Sequence, residues 1–338
     1  MVRFGVLGSG RIGRMHAGLI ATDTPASVSW CYDVDPDRAK QAAAEVGAKV
    51  ADNVDQVLAA DDVDAVLIAS PTDTHVDLIL RSADAGKPIL CEKPIDVDLH
   101  KVEDCRERLA KFDVPLQMGF NRRFDPSHRA VHDAVRTGEI GDLELLVITS
   151  RDPGPPPPRP ILEACGGLFR DTTIHDFDMA RFVLGEEPVE VFVMASNRVD
   201  PIFAELNDVD TAMVTMRTAS GTLCHINNSR RTNYGYDQRV EAFGALGMVR
   251  SNNVRPTEVT RYGEERTAQR DPLLHFFIER YREAYAAEIR DFLDCLKTKR
   301  SPSVSFEDGR RALILAEAAI KSLKENRPVS VDYGKGVS

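Results

Sequence analysis

Gly8-Ser9-Gly10-Arg11-Ile12-Gly13 sets three glycines at the spacing G-x-G-x-x-G close to the first residue of the chain. The first glycine of such a run permits a tight turn, the second lets backbone approach a pyrophosphate, and the third lets a helix pack on a strand. A helix opening at Arg11 and Ile12 offers N–H groups and partial positive charge to phosphates. Asp33 follows Gly13 by 20 residues, at the end of the next apolar run. A carboxylate there accepts hydrogen bonds from ribose hydroxyls and repels a 2′-phosphate, which favours NAD over NADP. Arg38 is the nearest base that speaks for the phosphate. The plainer reading of Asp33 is a turn residue or helix N-cap, since Asp35-Pro36 also suits a helix start.

A second group is Asp171, His175 and Asp178, four and three residues apart and so on one face of a helix. Oxidation of a secondary alcohol delivers hydride to a nicotinamide while the hydroxyl proton leaves to a base. Histidine suits that base because it titrates near neutrality. Asp171 can hold the imidazole and stabilise its protonated form, and Asp178 can accept a hydrogen bond from another substrate hydroxyl. The competing readings are an N-cap for Asp171, a satisfied core histidine for His175 and a surface charge near Arg181 for Asp178.

Lys93, in Cys91-Glu92-Lys93-Pro94, ends an apolar run where ligands of open α/β sheets gather. Its ammonium can bind the reacting oxygen and support developing alkoxide charge. Ser70, Pro71, Thr72 and His75 follow another such run and are expected, with Glu92, to line the cofactor. Arg122, Asp152 and Tyr234 are candidates for the substrate pocket; their plainer roles are a carboxylate bridge, a turn residue and a sheet-face aromatic. His16 on the first helix reads as structural.

The elements that must hold these residues follow from the apolar pattern. Short apolar runs at Val2 to Leu7, Val28 to Tyr32, Asp64 to Ala69 and Pro88 to Cys91 alternate with helical stretches, which predicts a parallel sheet wound with helices. After Asn121 the texture changes. Helix is expected at about Ser127 to Arg136, strand at Leu143 to Ser150, and a loop at Pro155 to Pro158. A helical stretch then runs to Leu184, and several longer strands occupy Val189 to about Thr260. Helices return at about Leu273 to Lys297 and Phe306 to Lys324, with a last strand at Val329 to Val331. The expected architecture is α/β plus α+β: an N-terminal Rossmann dinucleotide-binding domain over residues 1–120, and a domain over 121–338 with a large, mainly antiparallel open sheet.

Bulk properties narrow the function classes. The 338 residues suit two domains, and 43% hydrophobic with 28% charged residues is ordinary for a folded globular chain. A formal charge of −10 argues against nucleic acid and gives no basic patch for a membrane. The six cysteines lack the paired spacings of a zinc site or disulfide framework, so no metal is expected and the cytoplasm is the expected compartment.

Taken in order, the glycine run, Glu92-Lys93-Pro94, Gly166-Gly167 and Asp171 to Asp178 resemble the Gfo/Idh/MocA family of sugar and cyclitol dehydrogenases. The likeness runs essentially end to end. Gly119 to Asp125, Ser150 to Pro153 and Tyr234 to Asp237 make it greatest to the inositol dehydrogenases, although Asn121 stands where related enzymes often carry an apolar residue. The resemblance implies that Lys93, Asp171 and His175 form the catalytic set and that NAD oxidises an inositol (myo or scyllo) to an inosose. It also implies a cis Lys93-Pro94 bond and a homotetramer. Oxidation of an aldose is a close variant. A sugar sensor that binds dinucleotide without turnover should lack the catalytic set, and glycoside cleavage through a similar hydride abstraction is a third reading.

Overall fold

Strands this apolar need cover on both faces, and the first unit supplies it. The computed structural model describes residues 1–154 and 157–334, so part of the proline loop, Pro155 and Pro156, lies outside the described residues. Met1–Phe124 and Ala284–Leu313 form one unit, and Asp125–Glu283 with Ile314–Ser338 the other.

In the first unit, β1 (Arg3–Leu7), β2 (Ser27–Tyr32), β3 (Lys49–Val50), β4 (Ala65–Ile68), β5 (Ile89–Glu92) and β6 (Leu116–Gly119) pair in parallel in the order β3-β2-β1-β4-β5-β6. All four residues of β4 are fully buried. The intervening helices are α1 (Arg11–Asp23), α2 (Pro36–Val46), α3 (Val54–Leu58), α4 (His75–Asp84) and α5 (Leu99–Leu109). Asp35 caps α2 and Asp98 caps α5, each accepting a backbone N–H two residues on. Because the sheet is parallel, the carboxyl ends of β1, β2, β4 and β5 share one edge. The strand order reverses between β1 and β4, the crevice where such sheets take ligands. The sequence reading did not assign β3 or α3; two exposed strand residues and five helical ones are too short to show a period.

The second unit begins with α6 (Pro126–Arg136), β7 (Leu143–Arg151), α7 (Arg159–Ala164), α8 (Gly167–Asp171) and α9 (Thr173–Leu184). Then come β8 (Pro188–Ser196), α10 (Pro201–Glu205), β9 (Thr211–Thr218), β10 (Leu223–Ser229), β11 (Asp237–Gly244) and β12 (Gly247–Arg250). Two-residue strands β13 (Thr260–Arg261) and β14 (Gln269–Arg270) pair with each other. The large sheet runs β12-β11-β7-β10-β9-β8-β15, where β15 is Val329–Ser330. Only β7 and β10 are parallel; every other pair is antiparallel. One face is buried through alternate residues such as Ala212, Val214 and Met216, and the other carries the exposed alternates.

Two expectations need correction. Helix does not begin at Leu273: the helical residues are α11 (Phe277–Arg280) and α12 (Arg282–Thr298), because the Leu274 backbone donates to Val254 O and accepts from Tyr236 N. The single boundary after Phe120 also fails to describe the chain, since residues 284–313 return to the first unit. There Phe292 packs against Phe4, and Gln117 Nε2 donates to Glu288 O at 3.1 Å. The last long helix, α13, is Phe306–Glu325. Among the described residues no helix is long and apolar enough to cross a membrane.

Candidate active site

The glycine run meets the demands of its spacing. Gly8 has φ +98°, and a Cβ there would lie 2.4 Å from Ser70 N. A Cβ on Gly13 would lie 1.8 Å from Gly8 O, so helix and turn touch backbone to backbone. Around Gly10, by contrast, a Cβ would meet nothing within 4 Å. Gly10 opens α1 with no side-chain cap, followed by exposed Arg11 and half-buried Ile12. Open space before an uncapped helix start is what a pyrophosphate needs, and these residues fit a dinucleotide.

Asp33 is tied to that turn. Its Oδ2 accepts the Ser9 N–H at 2.7 Å and its Oδ1 accepts the Asp35 N–H at 2.9 Å. Asp35, not Asp33, is the helix cap. Each carboxylate oxygen keeps a second lone pair for a ribose hydroxyl. Arg38 pairs with Asp35 at 3.3 Å.

Ser70, Pro71 and Thr72 follow β4 at the same edge, where Ser70 Oγ and Thr74 Oγ1 lie 2.6 Å apart. His75 does not face outward with them. It is buried, with Nδ1 2.7 Å from Pro94 O and Nε2 3.0 Å from Ser70 O. Burial takes its pKa below the ordinary histidine value, against the opposing pull of the two carbonyls and of Glu92 and Asp96. Glu92 ends β5 with Oε1 2.7 Å from His16 Nε2, and half-buried Lys93 follows through a cis bond to Pro94. Arg122 is buried just after β6, and its neighbour Arg123 donates to Asp308 at 2.9 Å.

In the second unit Gly166 and Gly167 both take positive φ, and a Cβ on Gly167 would lie 2.8 Å from Asp208 Oδ1. That closeness lets the Asp208 carboxylate accept the Leu168 N–H at 3.0 and 3.1 Å, capping α8. Asp171 closes α8, and His175 lies in the first turn of α9, so their spacing spans a break at Thr172. From Thr172 to Arg181 every residue is buried except His175. Asp178 is inside, 3.8 Å from Arg181, which also pairs with Glu187 at 2.7 Å. Asp152 follows β7, its N–H donating to Ser229 O at 2.9 Å. Half-exposed Tyr234 donates its hydroxyl to Asp237 Oδ2 at 2.8 Å and accepts from Arg151 at 3.0 Å. Burial alone would raise the pKa of Asp237, but hydrogen bonds from Arg239, Asn253 and Tyr234 hold it below the carboxylate norm.

Arg230 escaped the sequence reading. Its buried guanidinium lies 3.6 Å from Asp171 Oδ2 and stacks over Phe203 at 5.3 Å. Burial would lower its pKa, yet the nearby carboxylates of Asp171 and Asp152 raise it. Arg230-Arg231 at a strand end reads as solvated charge, but period two continues inward from Cys224, Ile226 and Asn228 to Arg230. Asn228 was missed as well: it donates to Asp176 at 2.7 Å and accepts from Thr173 at 2.9 Å, fixing α9 on β10.

Residues 2–120 match the oxidoreductase family model with an NAD-binding Rossmann fold, and residues 128–250 match the Gfo/Idh/MocA C-terminal domain. The chain is 46% identical to the inositol 2-dehydrogenase of Rhizobium meliloti over 98% of this chain and 99% of that one. The structure of a myo-inositol dehydrogenase from Corynebacterium glutamicum is similar with TM-score 0.95 and 44% identity, over 98% and 99% of the two chains. A Lactobacillus casei scyllo-inositol dehydrogenase with bound NAD(H) and scyllo-inositol is similar at TM-score 0.88 and 29% identity, over 98% and 99%. With both parts matched, the chain belongs to the Gfo/Idh/MocA family of NAD-dependent oxidoreductases.

Proposed function

We propose that this protein oxidises one secondary hydroxyl of an inositol, myo or scyllo, to the corresponding inosose. NAD, when bound, supplies the hydride acceptor. His175 takes the hydroxyl proton, Asp171 orients the imidazole and stabilises it once protonated, and Lys93 holds the reacting oxygen and supports its developing charge. Arg122, Asp152, Asp178 and Tyr234 contact the remaining hydroxyls. The observation that carries the reading is that His175 alone is only half-buried along an otherwise buried stretch from Thr172 to Arg181. A histidine serving the core would be turned inward with its neighbours. Substrate class rests on the relatives, whose names specify inositol.

The test is purified protein with NAD and a panel of inositol isomers and aldoses, followed by reduced-nicotinamide absorbance. Turnover with myo- or scyllo-inositol is expected. Turnover with aldoses alone would replace the substrate assignment. The His175→Ala variant is expected to lose about 100-fold or more in kcat; full turnover by that variant would remove the proton-transfer role.

A further inference from the structure

Lys93 is flanked in sequence by two residues that buried histidines hold. On its amino side, Glu92 Oε1 lies 2.7 Å from Nε2 of His16, in the second turn of α1. On its carboxyl side, Pro94 O lies 2.7 Å from Nδ1 of His75, the first residue of α4. The second nitrogen of His75 reaches Ser70 O at 3.0 Å. His16 and His75 are 0% and 1% exposed, and the His16 ring meets Tyr285 edge-on at 5.2 Å.

Two imidazoles in an apolar interior are costly unless their polar atoms are engaged. A leucine fills such volume without that cost. Here three of the four ring nitrogens face polar partners: His16 Nε2 meets Glu92 Oε1, and the two nitrogens of His75 meet Pro94 O and Ser70 O, while His16 Nδ1 is buried with none. The helices matter too. α1 begins at the glycine turn, and α4 follows the Ser70–Thr74 turn, so each histidine links one part of the cofactor edge to one flank of Lys93.

We propose that His16 and His75 are positioning residues for Lys93, fixing the Glu92 side chain on one side of it and the Pro94 carbonyl on the other, and so tying Lys93 to the cofactor-binding turns. Glu92 is then the handle that His16 holds, and His75 acts through Pro94 and Ser70. The inference rests on the role given to Lys93 above.

The experiment compares His16→Leu, His75→Leu, Glu92→Met and Lys93→Met in the full chain. Readouts are kcat and KM with inositol, NAD affinity by calorimetry, and Tm. Each histidine variant is expected to lose about 10- to 100-fold in kcat, the usual cost of removing a partner that orients a site residue. KM for NAD and Tm should change far less, and His16→Gln and His75→Gln should recover part of kcat. In the Lys93→Met background the histidine changes should add little, since groups that act as one unit are non-additive. Losses confined to Tm or NAD binding, with kcat per folded molecule intact, would overturn the proposal; so would full additivity with Lys93→Met. Should His75→Leu not fold, Glu92→Met still cuts the His16 link at a half-buried position, and unchanged kcat there overturns it equally. Wild-type kcat in Lys93→Met would instead remove the role of Lys93 itself.

Discussion

Asp33 accepts backbone N–H groups from Ser9 and Asp35, which shapes the glycine turn, and the proposed function would have its remaining lone pairs meet a ribose. Its negative charge disfavours a 2′-phosphate, while Arg38, the next arginine along the chain, is paired with Asp35. Asp33→Ser is therefore expected to raise KM for NAD by about 10-fold and to bring NADP turnover within reach of NAD turnover, because one change removes both a hydrogen-bond set and a repulsion. Initial rates with both cofactors measure this; an unchanged preference for NAD would place discrimination elsewhere. At this scale the glycines, Asp33 and Lys93 were readable because local rules demand their residue types. Arg230 was not, because its partner Asp171 is far away in sequence and only burial separates it from its exposed neighbour Arg231.

Among the elements, the short helix α8 has the most leverage over the candidate site, because Asp171 is its last residue. Its start depends on Asp208, which lies 40 residues away and caps Leu168. Asp208→Ala should destabilise the second unit by about 1 kcal/mol, the usual cost of a lost cap, and lower kcat more than KM by loosening Asp171. Urea unfolding and steady-state kinetics test both; wild-type kcat would show that the cap does not steer Asp171. Long amphipathic or buried elements were legible from their periods. Helix α10, capped by Asp200 and opened by Pro201, was not assigned from the sequence, because five residues inside a strand-rich stretch are too few to show a period. The Leu273 to Phe276 stretch went the other way, because its backbone pairs with distant Val254 and Tyr236 rather than with its own next turn.

For the whole molecule, the outer face of the large sheet carries a cross-strand row of Leu223, Leu145, Phe243 and Met248, each 42–50% exposed. Met213 and Met194 form a second exposed cross-strand pair at 59% and 66%. Such a patch on a sheet face signals an interface, and it is where the homotetramer implied by the family resemblance would be expected to form its contacts. Light scattering of the wild type should give four chains, and Leu145→Glu with Phe243→Glu should give a smaller particle. A monomeric wild type, or an unaltered tetramer in the double variant, would end that expectation.

The amino-acid sequence by itself determined the parallel sheet, the glycine turn, NAD and the family, because those follow from periods, glycine geometry and motif order along a local stretch of chain. Tertiary structure alone decided that residues 284–313 return to the first unit, that His75 turns inward to Pro94 and Ser70, and that Arg230 lies beside Asp171. Apart from the His75–Ser70 contact, these are set by contacts between residues distant in sequence, formed when apolar surface is buried, and no local pattern of residue types encodes them.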